Sequence, residues 1–339
     1  MSSWARNLSP TSEPSLAKLG EDGFHRWLYR EGVGSRGQLL PPSDDCVALP
    51  GRKGRAWLLT TDSVVEGSHF PPGTPGGWVG RFAAEVNLSD LAAKGGEPRG
   101  FLCAIQLPSR TPARWAQAVV EGIQAEGRKV GAVLLGGDTK SSRCPTVTLT
   151  AVGEGDPRHL LPRNGGRPGD LLVTTGRVGT GGARFLRWKA TGGKVGPELR
   201  RLLTVRARLR EGRTLARYAR AALDTSDGFL WSARLLAEAS GLSATVDLRK
   251  LPLDPDCRRG ARAGLWAWER AAFLGGDYEL LAALPESRFA EARDAIRRVR
   301  GDLRVVGRLS RDGGHRLVTD RGVRPLPAAG WDAFSPDRR

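Results

Sequence analysis

The sequence predicts two domains of layered helices and strands, in the α/β or α+β class. Three observations support that reading. Short apolar runs alternate with longer segments of helical periodicity. The 339 residues, 40% hydrophobic and 26% charged, have ordinary globular composition and suffice for about two domains with a large core. A stretch rich in Gly, Pro and Arg, 153–169, marks a boundary near mid-chain. The expected organisation is a flexible N-terminus over residues 1–20, an N-terminal domain over 21–154 and a C-terminal domain over 155–339.

Residues 22–30 read as a helix, with Phe24, Trp27 and Leu28 on one face and Gly32 as its stop. Residues 56–60 read as a strand. Residues 78–94 form a good helical pattern: Val79, Phe82, Ala83 and Val86 share a face, and Gly95, Gly96 and Pro98 end it. Asn87, Asp90 and Lys94 fall together opposite much of that stripe, which predicts an Asp90–Lys94 surface pair. Residues 130–135 and 146–152 read as strands, and 171–175 opens the second half as another. Further helices are expected near 230–240 and 288–300.

The chain carries 53 Lys and Arg against 36 Asp and Glu, a net charge of +17, so a polyanion partner has to be weighed. The densest basic stretch, 200–220, spaces Leu202, Leu203, Leu209, Leu215 and Ala216 as an amphipathic helical region with a solvated basic face. No nucleic-acid motif accompanies it, which disfavours a nucleic-acid partner. The first 20 residues lack the apolar stretch of a signal peptide, and no segment has the ~20 apolar residues of a membrane span. Cys46, Cys103, Cys144 and Cys257 form no C-x-x-C pair, consistent with free thiols in a reducing compartment. The expected location is cytoplasmic. The phosphate-binding G-x-x-x-x-G-K-[ST] loop, H-E-x-x-H and G-x-S-x-G are all absent. Gly32-Val-Gly-Ser-Arg-Gly37 matches G-x-G-x-x-G but follows a helix, so it reads as a loop.

The placement of acidic residues is the informative feature. Asp44 and Asp45 precede an apolar run, and Asp62 and Asp138 each follow one. Asp224 and Asp227 flank Thr225-Ser226. Each is expected at a turn, where Gly136, Gly137 and Gly228 would let the backbone bend. Strand ends point into the crevice where α/β folds bind ligands. Converging carboxylates repel one another unless a hard cation lies between them, and Mg²⁺ is commonly held by one or two carboxylates plus substrate phosphates. The recurrence of the pattern in both halves points to a nucleotide–Mg²⁺ site.

Several blocks then resemble the thiamine-monophosphate kinase family, in its order and over nearly the whole chain. They are Ser43-Asp-Asp-Cys46, Thr60-Thr-Asp-Ser-Val-Val-Glu-Gly-Ser-His-Phe70, Val86-Asn-Leu-Ser-Asp-Leu-Ala-Ala93, Gly136-Gly-Asp-Thr139, Arg163-Asn-Gly-Gly-Arg-Pro-Gly-Asp170, Leu223-Asp-Thr-Ser-Asp-Gly228, Asp277-Tyr-Glu-Leu280 and Gly330-Trp-Asp-Ala-Phe334. The resemblance implies the fold of aminoimidazole ribonucleotide synthetase (PurM-like). That fold has an N-terminal α/β domain forming a homodimer and a C-terminal α+β domain. It implies ATP and several Mg²⁺ in the cleft, and thiamine monophosphate as acceptor. By motif, Asp45, Thr60, Thr61, Asp62, Asp90, Asp138, Asp224 and Asp227 are expected metal ligands. Gly137, Asp138, Arg163 and Ser226 are expected nucleotide contacts, and His69 and Trp331 acceptor contacts. No residue is expected to act as a general base.

Four positions depart from the family pattern. Ser43 stands where Gly is usual, Lys94 where Met is usual, and residues 203–208 replace a proline-rich segment. Gly276 stands where the family has an acceptor-contacting Glu, for which Asp277 or Glu279 would have to compensate. Gly276 keeps open an ATP-using enzyme of the same fold with another acceptor, and the net charge a non-catalytic polyanion-binding protein.

Overall fold

The computed structural model describes residues 15–334 apart from 33, 35, 36 and 329. Most of the 1–20 segment and half of the 32–37 glycine loop thus lie outside the described residues. In chain order the first half comprises α1 (Leu16–Arg30), β1 (Val47–Pro50), β2 (Ala56–Val65), α2 (Gly76–Ala93), β3 (Glu97–Leu107), α3 (Ala113–Val130), β4 (Val133–Ser141) and β5 (Thr146–Gly155). The second comprises β6 (Leu171–Thr174), α4 (Thr180–Ala190), α5 (Pro197–Leu202), α6 (Leu209–Leu215), β7 (Ala221–Asp224), α7 (Phe229–Ala239), β8 (Ser243–Asp247), α8 (Pro255–Arg262), α9 (Trp268–Phe273), β9 (Leu280–Leu284), α10 (Phe289–Arg298), β10 (Arg304–Ser310), β11 (Arg316–Thr319) and β12 (Gly322–Pro325). Among the described residues no helix is long and apolar enough to cross a membrane.

The strands form two sheets, ordered β1-β2-β5-β3-β4 and β12-β11-β8-β10-β6-β9-β7. In the first sheet only β3–β4 is parallel, and in the second only β11–β8. Period-two alternation decides the faces of the first sheet. Ala56, Leu58, Thr60 and Val64 of β2 are buried beneath α2, together with Val147, Leu149 and Ala151 of β5. The intervening residues point away. This outer face exposes Val47 and Leu49 of β1, Trp57 of β2, Leu102 of β3, and Val133 and Leu135 of β4, the last two at 58%. Such a contiguous apolar face on a paired sheet is unusual for a surface that stays in water.

α2 is the central element. It packs on β2 and β5 below, on α3 beside it, and on α6 and β7 of the second half. Its buried residues run all round the helix, from Gly76 and Val79 to Asn87, Ser89 and Ala93. The expected solvent face does not exist: Asn87 and Lys94 are both fully buried, and Lys94 does not pair with Asp90.

Other expectations are also corrected. Strand β2 continues five residues past Thr60, and β4 runs through Gly136, Gly137 and Asp138. Asp62 and Asp138 therefore sit within strands and not at turns. Val130 belongs to α3. Gly137 serves close approach, since a Cβ there would lie 1.8 Å from the Cys103 carbonyl oxygen across the β3–β4 bulge. The basic 200–220 stretch is two short helices joined by extended backbone. Its Arg208 leaves solvent to pair with Glu279.

Two predictions follow from this scaffold. Ser43, in the turn before β1, has φ of 66°, where a side chain is strained and Gly is not. Ser43→Gly is expected to stabilise the protein by about 0.5–1 kcal/mol in urea denaturation. Glu85 on α2 accepts a 2.7 Å bond from the Ala207 backbone N–H. Burial, with the Glu126 charge beside it, pushes its carboxyl up to about 7. A carboxyl raised in the folded state contributes its full stability below its ordinary range and loses it as pH rises through 7. Between about pH 5 and 8 the wild type should therefore lose about 2 kcal/mol relative to Glu85→Gln. Parallel pH profiles of the two proteins would contradict this.

Candidate active site

Four segments distant in sequence meet along the seam between the two sheets. Asp44 and Asp45 arrive on the turn before β1, Thr60 and Asp62 on the inward face of β2, and Asp90 from the last turn of α2. Asp224 closes β7, and Asp227 follows in the loop that starts α7. Each carboxylate has a local anchor. The Thr60 hydroxyl donates to Asp90 Oδ2 at 2.6 Å. The Asp62 backbone N–H donates to Asn87 Oδ1 at 3.2 Å. Ser89 Oγ donates to Asp224 Oδ2 at 2.6 Å, which ties α2 to the second half, and Ser226 Oγ donates to Asp224 Oδ1 at 2.7 Å.

The electrostatics divide these residues into two groups. Asp44 and Asp45 are compensated. Lys94 Nζ lies 2.5 Å from Asp44 Oδ1 and 3.1 Å from Asp45 Oδ2. Arg163 donates its backbone N–H to Asp44 Oδ2 at 2.8 Å and its guanidinium to Asp45 Oδ1. Although buried, Asp45 is held below the usual carboxylate range by Lys94 and Arg163. The other four are not compensated in this way. Burial, reinforced by Asp224, pushes Asp62 up to about 6. Burial, with Asp224 and Glu21 adding to it, pushes Asp227 up to about 8. Asp90 is raised well above its ordinary value by burial and then by Asp62 and Asp224. Asp224 is raised by burial and by Asp45. In all four burial is the larger cause and the charge of a neighbouring aspartate the second.

The donor set fits a hard divalent cation: carboxylate and hydroxyl oxygens, half-buried or buried, with unrelieved negative charge. No three His, Cys, Asp or Glu among the described residues close on one point as a finished metal cage. That openness suits Mg²⁺, which keeps waters and completes its shell with phosphate oxygens. On the rim, Arg163 Nε is a buried donor with no hydrogen-bond partner among the described residues, and an anionic oxygen would satisfy it.

The other sequence-derived candidates are distributed as follows. Ser226 adjoins Asp224. Trp331 is brought to the cluster, its backbone N–H donating to the Asp227 carbonyl at 2.8 Å. His69 lies in the exposed loop after β2, its Nδ1 accepting from the Val65 N–H at 3.2 Å. Thr61, Gly137 and Asp138 do not join the cluster in one chain. Thr61 points to the outer face of the sheet, where it bonds Thr150 at 2.8 Å. Asp138 lies on the same outer face of edge strand β4, bonded to Lys140 at 2.8 Å. Three strand spacings, about 14 Å, separate β4 from β2.

Gly276 has φ of 77°, and a Cβ there would have as its nearest neighbour the Gly181 Cα at 3.6 Å. There is space for a side chain, at the cost of backbone strain. Asp277 and Glu279 are both committed elsewhere. Asp277 accepts from the N–H groups of Gly179 and Gly181 at the start of α4, and Glu279 pairs with Arg208 and Thr175. Sequence reasoning placed Asp44 in the aspartate pattern without giving it a role, and missed Lys94 and Glu21 as part of the site. Glu21 adds to the charge felt by Asp62 and Asp227, and it bonds the C-terminal segment at Asp332. The only signal for Lys94 was its departure from the family residue.

Comparison with known proteins identifies the family. Family models for the N-terminal and C-terminal domains of AIR synthase related proteins match residues 43–154 and 167–320. The thiamine-monophosphate kinase of Mycobacterium tuberculosis (strain CDC 1551 / Oshkosh) is 32% identical over 338 residues, covering 97% of this chain and 96% of its own. The solved structure of AaThiL complexed with AMPPCP and TMP superposes with a TM-score of 0.81 at 27% identity, covering 94% of this chain and 99% of that one. A solved structure from Thermus thermophilus superposes with a TM-score of 0.80 at 31% identity, covering 92% of this chain and 100% of that one. With both domain models matched and full-length identity at this level, the chain belongs to the thiamine-monophosphate kinase family.

Proposed function

We propose that this chain transfers the γ-phosphoryl group of ATP directly to thiamine monophosphate, giving thiamine diphosphate, with Mg²⁺ as the required cation. The observation that carries the proposal is the convergence of Asp62, Asp90, Asp224 and Asp227 from both halves of the chain beside an unpartnered Arg163 donor.

The acceptor nucleophile is a phosphate oxygen. A phosphate monoester has a second pKa of ~6, so this oxygen is already largely anionic near neutral pH and needs no base to remove a proton. The chemical problem is to hold two anionic phosphates in line. Bound Mg²⁺ would neutralise the phosphate oxygens and the developing charge. Asp62, Asp90, Asp224 and Asp227 would hold it, with Thr60 setting the Asp90 carboxylate and Asp45 at the rim. Arg163 would place its free Nε–H on a nucleotide phosphate while Asp45 fixes its guanidinium and Asp44 its backbone. Ser226 and Gly137 are assigned to the nucleotide, and Trp331 and His69 to the acceptor.

The outer face of the first sheet supplies the remaining part. Its exposed Trp57, Leu102, Val133 and Leu135 suit an isologous contact with a second copy. Such packing would set Asp138 of one copy against Thr61 of the other, next to Asp62 in that strand, so that both Thr61 and Asp138 could serve the cation. The reading is therefore a homodimer with two composite sites.

Purified protein should form thiamine diphosphate from thiamine monophosphate, ATP and Mg²⁺. Binding of Mg-ATP without that product would overturn the assignment. Asp90→Asn is expected to lower kcat by at least about 100-fold while leaving the fold intact by circular dichroism. Asp138→Ala and Asp62→Asn should each be inactive alone. Mixed and reassembled, they should regain about a quarter of wild-type activity, because half the dimers then carry one intact site. Absence of any regain in verified mixed dimers would place Asp138 in its own chain's site or outside catalysis.

A further inference from the structure

The ammonium of Lys94 has a coordination shell unlike that of an ordinary ion pair. The residue is the C-cap of α2 and is 0% exposed. Around Nζ lie Asp44 Oδ1 at 2.5 Å, Asp45 Oδ2 at 3.1 Å, the Ala222 carbonyl at 2.6 Å and the Leu161 carbonyl at 3.2 Å. All four neighbours are oxygens, from three separate segments: the turn before β1, the loop after β5 and strand β7. An ammonium has three N–H donors, which Asp44 and the two carbonyls take up, and Asp45 Oδ2 is left a buried acceptor with no hydrogen-bond partner among the described residues, so the shell offers one oxygen more than the ammonium bonds. A lysine is almost never fully buried unless its charge is compensated, and here two carboxylates provide that compensation.

We propose that Lys94 is a covalently attached cation occupying one cation seat of the carboxylate cluster, the seat between Asp44, Asp45 and the two carbonyls. This rests on reading the neighbouring carboxylates as a divalent-cation site. In this assignment divalent ions serve Asp62, Asp90, Asp224 and Asp227, while the Asp44–Asp45 pair is neutralised permanently by Lys94 and Arg163. Lys94 is thus a positioning residue. It holds the Asp44–Asp45 turn, and through it Arg163, against β7 before any metal or nucleotide arrives.

The test counts Mn²⁺ bound per protomer, by the electron paramagnetic resonance of free Mn²⁺, in full-length protein with a non-hydrolysable ATP analogue. Lys94→Ala empties the oxygen-lined seat and should bind one more Mn²⁺ than wild type. Lys94→Met fills the volume without charge and should bind no more than wild type. Lys94→Arg should match wild type. A purely structural lysine would leave the count unchanged in all three, and equal counts in Lys94→Ala and wild type overturn the proposal. If Lys94→Ala does not fold without metal, its refolding is titrated with Mn²⁺. Recovery supports the proposal, and failure at saturating Mn²⁺ overturns it. Wild type that binds no Mn²⁺ would count against the divalent site itself, and the difference between the variants would still decide the role of Lys94.

Discussion

The structure is organised around repulsion between buried carboxylates. At an effective dielectric of about 20, two unit charges 5 Å apart oppose each other by about 3 kcal/mol, and this site assembles six aspartates. The protein relieves the problem for two of them with Lys94 and Arg163. It leaves the other four raised in pKa and poised for a counter-charge. On the proposed reading stability and activity meet in the same residues: the repulsion that disfavours the gathered carboxylates is what would favour a cation carrying phosphate.

α2 makes that concentration of charge possible. A helix buried on every side can present Asp90, Ser89, Asn87 and Lys94 to different partners at once. Ser89 and Lys94 reach β7, and Asn87 and Asp90 reach β2. The two halves are therefore joined through polar contacts of the site as well as through apolar packing. Movement of one half against the other would change the geometry of the carboxylates directly.

Much of this was legible from sequence. The extent of α2, the strand at 171–174, and helices α7 and α10 follow from apolar period and glycine stops. Asp44, Asp45, Asp62, Asp224 and Asp227 stood out because acidic residues recurred beside apolar runs in a basic chain, whereas Asp90 came only from the family motif. Amphipathic reasoning failed where polar residues are buried for a purpose. It assigned Asn87 and Lys94 to solvent because it weighs hydrophobicity and cannot see carboxylates arriving from elsewhere. It ended β2 at Thr60 because Thr61, Asp62 and Ser63 look like a turn, although they pair in register with Thr150, Leu149 and Thr148. It merged α5 and α6 because it could not foresee that Glu279 would draw Arg208 inward. No local pattern reveals which face of a sheet Asp138 occupies, since that depends on strand order.

The C-terminal segment adds a consequence of another kind. Trp331 is tied to the Asp227 carbonyl, and Asp332 with Ala333 bonds Glu21 near the start of α1, so both ends of the described chain close over one patch. Amide hydrogen exchange at Glu21, Trp331 and Ala333 would then rise and fall together with occupancy of the cleft, and could report ligand binding without any coupled assay.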